Sequence, residues 1–200
     1  MRLLVIFGPP AVGKMTVGRA VVERSTFRML HNHAIIEPLL DVFDYGTPPF
    51  TRLLGESRVR VVEEAVGAGI DLLLTFVWGL DLQSDLEEIS EYVRPYVERG
   101  ADVAFVELAA DLDTRLRRNR TELRLAEKRS KRDLEWSDAN VREMERLVMN
   151  TGTRTDLPGV LLLARHPHLR IETDDLDAQE TADRILTWLD GLAAGGSAGD

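Results

Sequence analysis

Apolar positions along the chain fall into two alternating kinds of run. Arg2–Phe7 is a continuous apolar stretch that stops at Gly-Pro-Pro, the pattern of a strand buried on both faces of a parallel sheet. Similar short runs recur at Phe27–Leu30, Leu72–Val77, Val103–Leu108 and Leu169–Ile171. Between them lie longer segments with helical spacing. Lys14 to about Glu23 is one; Phe50–Ala68 carries Leu53, Leu54, Val59, Val62 and Val66 on a stripe; Ser137–Met149 carries Val141, Met144, Leu147 and Val148. Ser84 with Glu87 and Asp177 with Glu180 have capping-box spacing,. Val160–Ala164 fits a strand or a helical turn. The alternation is that of βαβ units and predicts an α/β domain over residues 1–192. Ala193–Asp200 reads as a flexible tail, and no repeat or linker divides the chain.

Length and composition agree. Two hundred residues, 44% hydrophobic and 30% charged, suit one globular core. With no cysteine, disulfide frameworks, thiolate metal sites and cysteine nucleophiles are excluded. No apolar run reaches the length of a membrane span, and Leu3–Phe7 is too short for a signal sequence,, so the protein is expected to be soluble and cytoplasmic, without membrane partners, as monomer or homodimer.

A net charge of −9 disfavours long nucleic acid as a partner,. The charge is uneven, however: Asp113–Arg132 holds nine basic residues against three acidic ones. Lysine is scarce, and the three in the chain are Lys14, Lys128 and Lys131.

The sharpest motif is Gly8-Pro9-Pro10-Ala11-Val12-Gly13-Lys14, which matches G-x-x-x-x-G-K between a predicted strand and a predicted helix. Glycines there let successive N–H groups point inward at phosphate oxygens, the helix N-terminus adds positive potential, and the lysine reaches the terminal phosphates. Met15 occupies the place where Ser or Thr usually offers a hydroxyl to magnesium, and Thr16 comes one residue, roughly 100° of helix, too late,. Mg2+ is therefore expected to arrive through the nucleotide and water, with no protein metal ligand assigned.

The stretch Gly8–Gly18, the polar end of the second strand and the arginine-rich segment before the last helices together resemble the small-molecule P-loop kinases, the shikimate kinase, gluconate kinase and chloramphenicol phosphotransferase-like group. That resemblance implies a three-layer P-loop NTPase fold, with a five-stranded parallel sheet in the order 2-3-1-4-5 and helices on both faces. It also implies ATP as donor and an arginine-rich lid over about 119–136. Arg118 would stack on adenine, and Arg120, Arg124 and Lys128 would include the phosphate-facing members; the bland alternative for this segment is a solvated, salt-bridged helix. Asp174 lies where such folds touch the nucleobase, though Thr173–Asp175 could equally cap the last helix.

The acceptor side is expected at the carboxyl ends of the second and third strands. His31-Asn32-His33 would place both imidazoles on one side of an extended chain. Three readings compete there: catalytic or acceptor contact, a structural polar cluster, and a metal site. Asp44, Arg52 and Trp78 are further candidate acceptor contacts, against turn-shaping and core roles. No aspartate closes the third strand directly, and Asp81 or Asp85 is a weak substitute. The function these residues suggest is transfer of the γ-phosphate of ATP to a hydroxyl of an unidentified small molecule. The alternatives are a nucleotide-binding regulatory module and a nucleotide-sugar or polynucleotide kinase.

Overall fold

A computed structural model of the chain describes residues 1–120 and 134–196. Its elements run β1 (Arg2–Phe7), α1 (Lys14–Val22), β2 (Arg28–Leu30), α2 (His33–Leu40), α3 (Pro48–Gly67), β3 (Leu72–Phe76), α4 (Gln83–Glu98), β4 (Asp102–Ala109) and α5 (Leu112–Asn119). They continue with α6 (Leu134–Glu143), a 3₁₀ turn (Met144–Arg146), α7 (Pro158–Leu163), β5 (His168–Glu172) and α8 (Ala178–Gly196). The five strands are all parallel, in the order β2-β3-β1-β4-β5. Among the described residues no helix is long and apolar enough to cross a membrane.

Strand alternation sorts the core into two layers. Leu3, Val5 and Phe7 point to one face, where they meet α3, α4 and α7 through Val62, Ile89, Tyr96 and Leu163. Leu4 and Ile6 point to the other, against Val17, Val21, Ile185 and Leu189 of α1 and α8. Helix α1 can lie close to the sheet because residue 18 is glycine: a Cβ there would come within 2.7 Å of Met29 Sδ and 3.3 Å of Leu73 Cδ2.

Local signals held unequally. Asp177 and Glu180 form the reciprocal capping box, each backbone N–H donating to the other's carboxylate at 2.8 Å. Ser84 does not cap: α4 starts at Gln83, and Asp85 turns back to accept from the Gly79 N–H at 2.9 Å. Residues 158–163 are helical, with Pro158 in the first turn. Where one helix was expected over 137–149, α6 gives way to a 3₁₀ turn and the chain extends at Leu147, so that Met149 and not Met144 is buried. The last helix reaches Gly196, so residues 193–196, expected to be tail, are helical.

Among the described residues one carboxylate, Glu107, is wholly buried. Glu107 of β4 accepts from Asn150 Nδ2 at 3.0 Å, from the Thr151 N–H and hydroxyl at 2.8 Å each, and faces His168 Nε2 at 3.0 Å and Arg170 at 3.2 Å. These bonds fasten the loop after the 3₁₀ turn onto the sheet. Burial alone would raise its pKa, but the hydrogen bonds from His168, Thr151 and Asn150 outweigh it and hold the carboxyl below its usual range,. A lowered native pKa means that this contribution to stability is complete above the unfolded value of about 4.3 and is lost as pH falls through the native one. Glu107→Gln, which keeps the shape and removes the charge, is expected to cost about 3 kcal/mol in urea unfolding at pH 7 and to flatten the acid limb of the stability profile.

Candidate functional site

The loop joining β1 to α1 is shaped by backbone conformations that few residues accept. Gly8, Ala11 and Gly13 all have positive φ, at 142°, 64° and 109°, and Gly13 is the residue from which α1 starts. At Gly8 there is a second requirement, since a Cβ would sit 2.3 Å from the Leu108 carbonyl oxygen of β4. Ala11 is a non-glycine in the left-handed region, a strained position, and its methyl group is buried against Leu116 and Val141. A turn of this kind directs successive N–H groups inward toward an anion, and the start of a nine-residue helix stands behind it,. Lys14 Nζ donates to the carbonyls of Gly8 and Pro9 at 2.7 and 2.8 Å, so its ammonium lies over the loop. Pro10 is half-buried beside it, as is Met15, while Thr16 is exposed.

Arg118, expected to offer a stacking plane, is tied to main-chain carbonyls and a threonine hydroxyl. It donates to Val12 O at 3.2 Å, to Thr173 Oγ1 at 3.1 Å and to Thr173 O. It thereby joins the loop to the segment after β5. Asp174, in that segment, accepts from the Asp111 N–H at 3.0 Å and braces the start of α5. Its carboxyl lies below the usual range because hydrogen bonds from Thr114 and Asp111 and the charge of Arg118 outweigh the opposing effect of burial.

The candidate arginines divide at residue 120. Arg120 is exposed and grips Asp138 through Nε at 2.9 Å and Nη2 at 2.6 Å. Beneath it, buried Asn119 donates to Asp138 Oδ1 at 2.7 Å and accepts from Ser137 at 3.1 Å. Asn119, Arg120, Ser137 and Asp138 thus clasp α5 to α6. Arg124 and Lys128 lie outside the described residues.

Beside the phosphate loop, at the carboxyl ends of β2 and β3, a cleft of about 320 Å³, counting the part open to solvent, is lined by Leu30, His31, Asn32, Ile35, Arg58, Leu74 and Thr75. Val62, Phe76 and Tyr92 complete the lining. Since β3 pairs directly with β1 and Phe7 is in register with Phe76, the cleft and the loop occupy adjacent strand ends, roughly 5 Å apart in the pairing direction. The Asn32 N–H donates to Thr75 Oγ1 at 3.3 Å.

Several acceptor-side expectations are corrected here. Residues 31–33 are not extended: Asn32 has helical backbone angles and His33 opens α2, so strand alternation does not align the two imidazoles. His31 lines the cleft, whereas His33 turns to Glu37, with Nδ1 3.5 Å from its carboxylate. Trp78 has no exposed surface and packs edge-on against Phe7 at 5.1 Å; it is core, not a substrate wall. Asp44 is exposed and shapes the turn before α3, its carbonyl accepting from the Thr47 hydroxyl at 2.8 Å. Arg52 is exposed on α3 and does not line the cleft. Asp81 and Asp85 are engaged with the backbone N–H groups of Val148 and Gly79.

What the sequence reading missed is Arg58. Its Nη1 pairs with Glu88 at 2.6 Å, and Nη2 donates to Asn32 Oδ1. Tyr92, one turn beyond Glu88 on α4, donates its hydroxyl to the same carboxylate. Burial, then the Glu88 charge, pushes the Tyr92 pKa above the ordinary phenol range and keeps that proton in place. A signal existed: Arg58 stands four residues from both Leu54 and Val62, a charge on an otherwise apolar stripe.

No family model and no curated protein matches the chain. Solved structures do. Shikimate kinase from Acinetobacter baumannii, in complex with shikimate, aligns at 17% identity and TM-score 0.55 over 94% of this chain and 92% of its own. Mycobacterium tuberculosis APS kinase, in complex with AMPPNP and APS, aligns at 15% identity and TM-score 0.56, covering 94% of this chain and 97% of its own. A sugar kinase from Janibacter sp. HTCC2649 aligns at 14% identity and TM-score 0.55, over 95% of both chains. The chain thus has the fold seen in small-molecule P-loop kinases, and the expected strand order is met.

Gly8→Ala is expected to destabilise the domain by about 3 kcal/mol, because the new methyl group meets main-chain carbonyl and not a flexible side chain,. It is also expected to weaken binding of a triphosphate nucleotide at least about 100-fold; urea unfolding and calorimetric titration would read the two effects.

Proposed function

We propose that the protein is an ATP-dependent phosphotransferase that moves the γ-phosphate of MgATP to a hydroxyl of a small molecule held in the cleft. The observation that carries this is the adjacency of two features on paired strands: a positive-φ loop with its lysine at the end of β1, and an open cleft at the end of β3. The shikimate, APS and sugar kinases that share the fold support the reading.

In this mechanism the loop amides from Ala11 to Thr16 and the start of α1 hold the triphosphate. Lys14 moves from the loop carbonyls to the terminal phosphates and offsets the charge that develops on transfer. The acceptor hydroxyl attacks the γ-phosphorus in line and ADP leaves. His31, with Asn32 beside it, orients that hydroxyl and takes its proton. His33, paired with Glu37, belongs to the same polar edge. Arg120, Arg124 and Lys128 are assigned to the transferring phosphate, and Arg118 with Asp174 to the nucleotide side.

Magnesium enters as part of the substrate. As a hard cation it requires oxygen ligands, and Met15 offers a thioether where the loop would present a hydroxyl. Thr16 is exposed, and the two nearest carboxylates after β3 are already bound to backbone. Phosphate oxygens and water supply the coordination.

The same observations favour one competing reading, a regulatory module that binds the nucleotide without transferring phosphate. Lys14→Ala separates them. Acceptor-dependent ADP formation is expected to fall at least about 100-fold, with Tm changed by less than about 3 °C. Nucleotide binding with no acceptor-dependent ADP in the wild type would favour the regulatory reading; unchanged turnover in the variant would remove the phosphotransferase assignment.

A further inference from the structure

The charge inside the cleft is already balanced. Among its described lining residues Arg58 is the one with a permanent charge. Its side chain is only 12% exposed, and its guanidinium is committed to Glu88 and to Asn32. Glu88 in turn takes the Tyr92 hydroxyl. Among the described residues no carboxylate lines the cleft. Most of the wall is aliphatic or aromatic, from Leu30, Ile35, Val62, Leu74 and Phe76, and His31, Asn32 and Thr75 gather polar groups at the strand ends.

Each ligand class meets this wall differently. An anion would have to compete with Glu88 and Asn32 for a guanidinium whose charge Glu88 already offsets, and displacing Glu88 would leave a half-buried carboxylate without its cation,. An ammonium group would find no carboxylate on the wall. A polyol would bring hydroxyls against side chains that cannot bond them. A compact apolar body with one hydroxyl fits: the body against the aliphatic wall, the hydroxyl at the His31, Asn32 and Thr75 end.

From the charge-compensated Arg58–Glu88–Tyr92 network and the apolar wall we infer that the acceptor is an uncharged, compact, largely apolar alcohol. Acceptors bearing carboxylate, phosphate or ammonium groups are disfavoured by charge. This rests on the phosphotransferase reading of the cleft, and Glu88 acts as a specificity-determining residue by neutralising Arg58.

The test uses a matched series: 2-phenylethanol, its para-carboxylate and its para-aminomethyl analogue. Binding is read by ligand-observed NMR and transfer by ADP release with MgATP. The wild type is expected to bind the neutral alcohol at least about tenfold more tightly than either charged analogue. Glu88→Gln uncovers Arg58 and is expected to shift the neutral-to-carboxylate ratio about tenfold toward the carboxylate. The double variant Arg58→Gln, Glu88→Gln should restore the preference for the neutral probe, separating charge from shape. Ile35→Trp, which fills the cleft, should abolish binding of every probe. Equal binding of charged and neutral probes, no binding of the neutral one, or a ratio unmoved in Glu88→Gln overturns the inference. Charge-selective binding without ADP release would instead count against the phosphotransferase reading and leave the selection rule standing. ADP release favouring the carboxylate would overturn the rule and keep the kinase.

Discussion

The exit from β1 is fixed between main chains: Gly8, the residue after the strand, lies beside the Leu108 carbonyl of β4, where no Cβ has room. Two central strands therefore approach at a point with no side chain between them. The chain leaves β1 in a conformation open mainly to glycine, turns again through Ala11 and Gly13, and starts α1 with its N–H groups facing inward. Everything placed around the loop depends on that exit. The Lys14 ammonium is held by carbonyls that the turn exposes, and the buried Ala11 methyl group brings α5 and α6 into contact with it through Leu116 and Val141.

The phosphate loop and the sheet were legible in the sequence because their causes are local. A strand buried on both faces writes a continuous apolar run, and the loop needs particular residues at fixed spacing. The same holds for the box at Asp177 and Glu180, whose partners are three residues apart. Trp78 and the histidines were misplaced for the opposite reason. Trp78 follows a strand end, where ligands gather, and only its packing on Phe7 and Phe105 shows that it faces inward. The imidazoles were assigned to an extended chain because β2 precedes them, but α2 begins sooner than that extrapolation allowed. Arg58 escaped because its partners lie 26 and 30 residues away, on elements whose mutual orientation no local pattern records.

The two faces of the sheet also differ in chemistry. The face covered by α1 and α8 is a plain apolar layer. The face covered by α3, α4 and α7 is apolar at its centre, but carries ionised groups at the carboxyl end of the strands: Glu107 beneath the loop after the 3₁₀ turn, and Arg58 with Glu88 beside β2 and β3. Each charge is matched by its neighbours, as burial demands. The end of the sheet that carries the loop and the cleft thus holds these two charge clusters, while Asp71 gathers Arg2, Thr26 and the N-terminal amino group at the opposite end.

Arg118 introduces a mechanical dependence between parts that are distant in sequence. One guanidinium bonds the phosphate loop at Val12 and the segment after β5 at Thr173, while its own backbone belongs to α5. These three pieces cannot shift independently, because movement of any one strains bonds made by the other two. A load applied along α5 reaches the loop main chain through this side chain, alongside the packing of Leu116 on Ala11. By linkage, whatever occupies the loop biases the position of α5 by the same free energy with which α5 biases the loop. The domain therefore has a short lever between the turn after β1 and the segment after the edge strand β5, made of one arginine and the oxygens it spans.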